Sequence, residues 1–72
     1  MKLNECLAGQ KIKILKINCD NLTFKRLEVI GFIEGENVTV LRQSFGSILC
    51  SINGKMYAFG NEITKRVEVE CV

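Results

Sequence analysis

The 72-residue chain contains no histidine, no proline and no tryptophan. Without histidine there is no imidazole to move protons near neutral pH, no Ser-His-Asp triad and no histidine-ligated metal. Asp20 is the only aspartate. Without proline, the turns must rest on Gly and Asn. The apolar runs are only a few residues long, so no segment reads as a helix spanning a bilayer. Met1-Lys2 leads into Leu3-Asn4-Glu5 rather than an apolar stretch, so no secretory signal is expected. The expectation is a cytoplasmic protein with reduced cysteines and no membrane insertion. Charge of one sign is scarce too: ten Lys+Arg against eight Asp+Glu leave +2. Nucleic-acid readers usually carry a denser basic stripe.

What is present is an ordinary folded composition, 47% hydrophobic and 25% charged, which excludes disorder. The length fits a single domain over residues 1–72, with its core at about 7–71. So small a core is marginal, which favours compact closure or self-association.

Short alternating segments separated by turn residues predict a mainly β protein: a five-stranded barrel with one short helix between the first two strands. Residues Lys11–Asn18 read as a strand in which Ile12 and Ile14 alternate with lysines, after which Leu15 and Ile17 carry the apolar phase. A slip in a period-two pattern implies a bulge or sharp bend. Leu22–Ile30 reads as a helix capped by Asp20 or Asn21, with Phe24, Leu27 and Ile30 as its buried stripe and Gly31 as its stop. Glu34-Gly35 reads as a tight turn, and Asn37–Gln43 as the second strand with Val38 and Val40 on one face.

Ser44-Phe45-Gly46 reads as a loop. Ser47–Ile52 and Lys55–Phe59 flank Asn53-Gly54, the strongest two-residue hairpin signal. That turn sets Cys50 opposite Tyr57 and Ile48 opposite Phe59, which makes theirs the core face and leaves Leu49, Ser51, Met56 and Ala58 outside. Gly60–Lys65 reads as a connection with room for one helical turn, and Arg66–Cys71 as a last strand with Val67, Val69 and Cys71 inward.

Four cysteines, Cys6, Cys19, Cys50 and Cys71, show no CxxC spacing. Cys50 and Cys71 fall on inward faces, where a thiol packs as a small hydrophobe. Cys6 and Cys19 flank the first strand and read as exposed. With a carboxylate from Glu5 or Asp20 they are the candidate ligands for a divalent transition metal, iron or zinc. No cofactor is otherwise required. Lys2, Lys11, Lys13, Lys16, Lys25 and Arg26 could serve an RNA-binding barrel, but Phe24, Tyr57 and Phe59 are expected to be buried, which leaves no stacking platform. A solvated face is the plainer reading. Glu34 and Glu36 sit at a wet turn and read as solubility charges, so catalysis is not expected.

The remaining signal is apolar surface. Phe32 and Ile33 follow the helix stop, Phe45 stands at a loop tip, and Leu49, Met56 and Ala58 line the outer hairpin face. Leu3 and Leu7 could cover part of it. What stays open would bind a partner or a second copy, with Phe45, Ile33, Leu49 and Met56 as the candidate contacts.

Leu7-Ala8-Gly9-Gln10-Lys11, Arg26-Leu27, Gly31-Phe32-Ile33-Glu34-Gly35, Val38-Thr39-Val40, Phe45-Gly46 and Val67-Glu68-Val69, in this order, resemble the FeoA family, the small ferrous iron transport protein A. The same domain ends some iron- and manganese-dependent repressors. The pattern departs at Glu34, where members commonly have Pro, and at Gly60, where they often have a basic residue. The resemblance implies an SH3-like barrel. It also implies an accessory role beside FeoB, a membrane ferrous iron permease with a cytosolic GTPase domain. The alternatives are a metal-responsive domain like the repressor barrel and an RNA-binding small barrel.

Overall fold

The computed structural model describes residues 1–72. Its strands are β1 (Lys11–Ile17), β2 (Asn37–Ser44), β3 (Ser47–Ile52), β4 (Lys55–Phe59) and β5 (Val67–Cys71), with helices α1 (Asn21–Val29) and α2 (Asn61–Thr64). All pairings are antiparallel and the order across the sheet is β4-β3-β2-β1-β5. The sheet curls around one core to which every strand contributes.

Two bulges supply the curl. The β1–β5 register shifts between Ile14 and Lys16, which turns Leu15 out to solvent while Ile12, Ile14 and Ile17 stay buried. The expected slip is therefore real, but Ile17 alone resumes the apolar phase. A second shift, between Val40 and Arg42 in the β2–β3 ladder, likewise extrudes Leu41. An extra residue on one strand bends and twists it, which lets a five-stranded sheet wrap a small core.

The Asn53-Gly54 turn has both residues at positive φ, +52° and +82°, and sets the expected register. Ile48, Cys50 and Phe59 are buried, whereas Tyr57 is only half-buried against the core. Helix α1 is capped by Asp20, whose side chain accepts from the Thr23 amide at 3.2 Å. Gly31, at φ +90°, ends it, and the Phe32 amide reaches back to the Leu27 carbonyl at 2.9 Å. Of the expected helical stripe only Leu27 is buried, while Phe24 and Ile30 pack half-exposed on the rim.

Phe32, expected at the surface, is fully buried with its ring centroid 4.9 Å from that of Phe59. Glu34 is more than a solubility charge, because its carboxylate accepts from the Ile17 amide at 3.1 Å and ties down the end of β1.

The N-terminal segment corrects three expectations. A 3-10 turn over Leu3–Glu5 tucks Leu3 and Cys6 fully into the core, so Cys6 is not an exposed thiol. Leu7 covers nothing and is 63% exposed. Cys71 keeps the inward phase of Val67 and Val69 opposite the buried Ile12, but at the end of the edge strand β5 it is exposed.

Candidate interaction surface

The β2–β3 connection is a two-residue turn rather than the loop expected. Ser44 pairs with Ser47, and Phe45 and Gly46 between them have φ +50° and +84°. Positive φ at both positions is the type I′ geometry that continues the twist of a hairpin, and it favours Asn, Asp or Gly. The Asn53-Gly54 turn obeys that preference. Phe45 does not, and its side chain is 98% exposed.

The tip is anchored from behind. The Thr64 hydroxyl, fully buried on α2, donates to the Gly46 carbonyl at 2.6 Å. A Cβ on Gly46 would lie 2.5 Å from Asn61 Oδ1, so any other residue there would displace the Asn61 amide. Asn4 in turn donates to that same Asn61 oxygen at 3.3 Å. Thr64 is a residue that sequence reasoning missed; a lone Thr in a short connection carries no signal until its partner carbonyl is known.

Next to the tip, the outer face of β2–β4 carries Leu49 opposite Arg42 and Ala58, and Met56 opposite Ser51. Met56 is 69% exposed, Leu41 is exposed and Leu49 half-buried. Ile33 is half-buried on the connection between α1 and β2. From residue 37 to residue 61 there is no carboxylate, only Arg42 and Lys55.

The candidate metal ligands are not gathered. Cys6 is in the core, where burial first, and then the charges of Cys71 and Glu5, push its thiol pKa up. Cys19 is half-buried and also pushed up, by burial against the opposing pull of Arg66. Cys19 and Asp20 line a cavity of about 310 Å³ with Thr23, Glu62, Ile63 and Arg66. Asp20 is engaged as the cap of α1, and its hydrogen bonds to Thr23 hold its carboxyl below the usual range. No three Cys, Asp or Glu side chains stand together as a metal-holding group. The early lysines are partly answered by carboxylates: Lys13 pairs across the ladder with Glu70 and Lys16 with Glu68.

A model of the FeoA domain matches residues 1–71. The chain belongs to the FeoA domain family. The five-stranded roll is the small SH3-like barrel of FeoA structures. A crystal structure called iron uptake regulatory protein (FeoA) is 25% identical with TM-score 0.89, covering 100% of this chain and 97% of that one. The solution structure of the FeoA protein from Chlorobium tepidum is 22% identical with TM-score 0.88, over 100% of this chain and 70% of that one. That of iron(II) transport protein A from Clostridium thermocellum is 24% identical with TM-score 0.88, over 100% and 46%. At 22% and 24% these last two FeoA structures speak for the fold. No curated protein matches the chain.

Proposed function

We propose that this FeoA-family protein is an accessory of ferrous iron uptake that docks on the cytosolic part of a FeoB-type permease through the Phe45 tip and the outer face of β3–β4. Family membership supports the role in ferrous iron transport. The observation that carries the docking is Phe45 itself. An aromatic side chain at 98% exposure loses its hydrophobic stabilisation, and left-handed backbone costs a non-glycine residue about 1–2 kcal/mol. Both costs fall on one residue of a clamped turn, which is how a fold presents an anchor whose ordering is settled before binding.

Docking needs no chemistry of its own. If the barrel binds one state of the permease more tightly than another, it shifts the balance of the GTPase or the gate by that difference in affinity. The metal-responsive and RNA-binding readings gain no comparable observation, since the thiols are dispersed and two of the three β1 lysines face glutamates.

The test is titration of the chain against the purified permease GTPase domain and the full-length permease. Binding to either, weakened at least tenfold by Phe45→Asn, is the expected result. Asn suits the turn, so a loss would come from the ring and not from misfolding. No binding to either form at high micromolar concentration would overturn the reading.

A further inference from the structure

A rolled sheet that does not close has two edges, and this one treats them differently. The free side of β5 is covered by the start of the chain. Lys2 bridges to Glu68, the Val69 amide donates to the Met1 carbonyl at 2.8 Å, and Lys2 Nζ lies 2.6 Å from Glu68 Oε1. Glu68 and Glu70 add charge to that edge. The free side of β4 has no covering segment, and its one charge, Lys55, stands at the turn end of the strand. The β3–β4 ladder runs five pairs without a bulge, and Met56-Tyr57-Ala58-Phe59 carries no charge. Natural sheets normally blunt such an edge with charge, proline, a bulge or a covering segment.

Ladder geometry says which groups are free. A two-residue turn makes its flanking residues, Ile52 and Lys55, a hydrogen-bonded pair, and the pattern alternates from there. Lys55, Tyr57 and Phe59 therefore bond to β3, and the N–H and C=O of Met56 and Ala58 point away from the sheet. None of these four groups makes a hydrogen bond outside the ladders, and both residues are exposed.

We propose that β4 of two copies of this chain pair antiparallel about a two-fold axis through Tyr57, joining two rolls into one continuous sheet. The register is self-complementary. Met56 meets Ala58 of the second copy in a hydrogen-bonded pair, twice by symmetry, so all four free groups are used. The long Met side chain then lies beside the short Ala on the outer face. Tyr57, half-buried in the single chain, faces its own copy. Lys55, the only charge on the strand, falls opposite Phe59 and not opposite another Lys. This is the isologous arrangement a two-fold dimer requires. The same register would also set two Met56 side chains and two Leu49 side chains on one broad outer face. The inference does not depend on docking to a permease.

Five residues a side make a small interface, so the dimer is weak and concentration-dependent. Sedimentation equilibrium from about 10 μM to about 1 mM, a range matched to weak interfaces, should show the average mass rising from 8.1 kDa toward twice that value. Over the same series the Met56 and Ala58 amides should exchange with solvent more slowly, while the exposed Gly54 amide stays unchanged. Ala58→Lys combined with Met56→Lys sets lysines opposite one another and should weaken dimerisation at least tenfold. Ala58→Pro, which removes only an outward N–H, should weaken it while leaving the far-ultraviolet circular dichroism of the monomer intact. A monomer throughout, a dimer indifferent to these variants, or protection of the two amides only when another protein's strand is added would each overturn the proposal.

Discussion

Phe45 is where the demands of folding and of binding separate most cleanly. Its backbone, at φ +50°, is one that Asn adopts readily and Phe does not. Phe45→Asn should therefore stabilise the fold by about 1 kcal/mol, read as a higher urea midpoint at unchanged slope, while the same change weakens docking. A loss of stability would mean that the ring has a structural contact. The four thiols divide just as clearly by environment. Cys71 is exposed, Cys19 half-buried, and Cys6 and Cys50 fully buried. Burial pushes the Cys50 thiol up to about 11, so at neutral pH only about one molecule in ten thousand carries the reactive thiolate there. A thiol reagent should label Cys71 first and Cys19 more slowly, and should reach Cys6 and Cys50 only on unfolding. Peptide mapping after timed labelling checks that order. The sequence misleads on Cys6 because the 3-10 turn that tucks it in has no period to read, and on Cys71 because strand phase names a face but not whether the end of an edge strand is covered.

Among the elements, the hairpin and the helix stop were legible because their turn chemistry is local. Asn53-Gly54 and Gly31 announce positive φ in the residues themselves. The N-terminal 3-10 turn was not legible, because three residues have no period and Leu3 is explained only by the cavity it fills. That cavity makes Leu3 a core residue, and Leu3→Ala should cost about 2–5 kcal/mol, measured by urea unfolding. Leu7→Ala, at an exposed site, should change stability little. The same segment carries a pH dependence. The hydrogen bond from Lys2 and its charge hold the Glu68 carboxyl below its ordinary value of 4.5. A carboxylate whose pKa falls on folding stabilises the fold above its unfolded value, and that contribution disappears as pH drops through the lower, folded value. Stability should thus fall on acidification below about pH 4.5, the range where free carboxyls titrate, and Lys2→Met should flatten that limb. The effect is small because the pair is exposed. Thermal melts at pH 6 and through the acid limb, wild type against Lys2→Met, compare the two slopes.

At the scale of the whole molecule the informative quantity is where the charge sits. Arg42 and Lys55 are the only charges between residues 37 and 61, and the other eight basic and eight acidic residues lie outside that stretch. The latter include cross-strand partners such as Lys13 with Glu70 and Lys16 with Glu68 on the β1–β5 side of the roll. The outer face of β2–β4 instead carries Met56 and Leu49 beside Arg42, with Phe45 at the tip, whereas Lys55 keeps the phase of Tyr57 and Phe59 at the opposite, Asn53-Gly54 end of the hairpin. The composition reported only a weak overall charge; the contrast between paired charges on one side of the roll and a lone Arg42 on the outer face of the other depends on the curl, and the curl depends on two bulges, of which only the one at Leu15 left a trace in the alternation. An apolar surface with the Arg42 cation beside it fits a partner whose docking site is apolar and bordered by a carboxylate, because long-range attraction then orients the approach and the aromatic anchor holds the complex. The two contributions separate by salt. Exposed charges are screened once the Debye length falls below the distance between them, while burial of the Phe45 ring is not. Titrations against the permease GTPase domain should therefore weaken several-fold as ionic strength rises from about 0.05 to about 0.5 M. Arg42→Glu should weaken binding about tenfold, chiefly by slowing association, and should abolish most of the salt response. Lys13→Glu, on the balanced side of the roll, should do neither. Affinity indifferent to salt and to Arg42→Glu, yet still lost with Phe45→Asn, would assign the docking to the aromatic anchor alone and remove Arg42 from the interface.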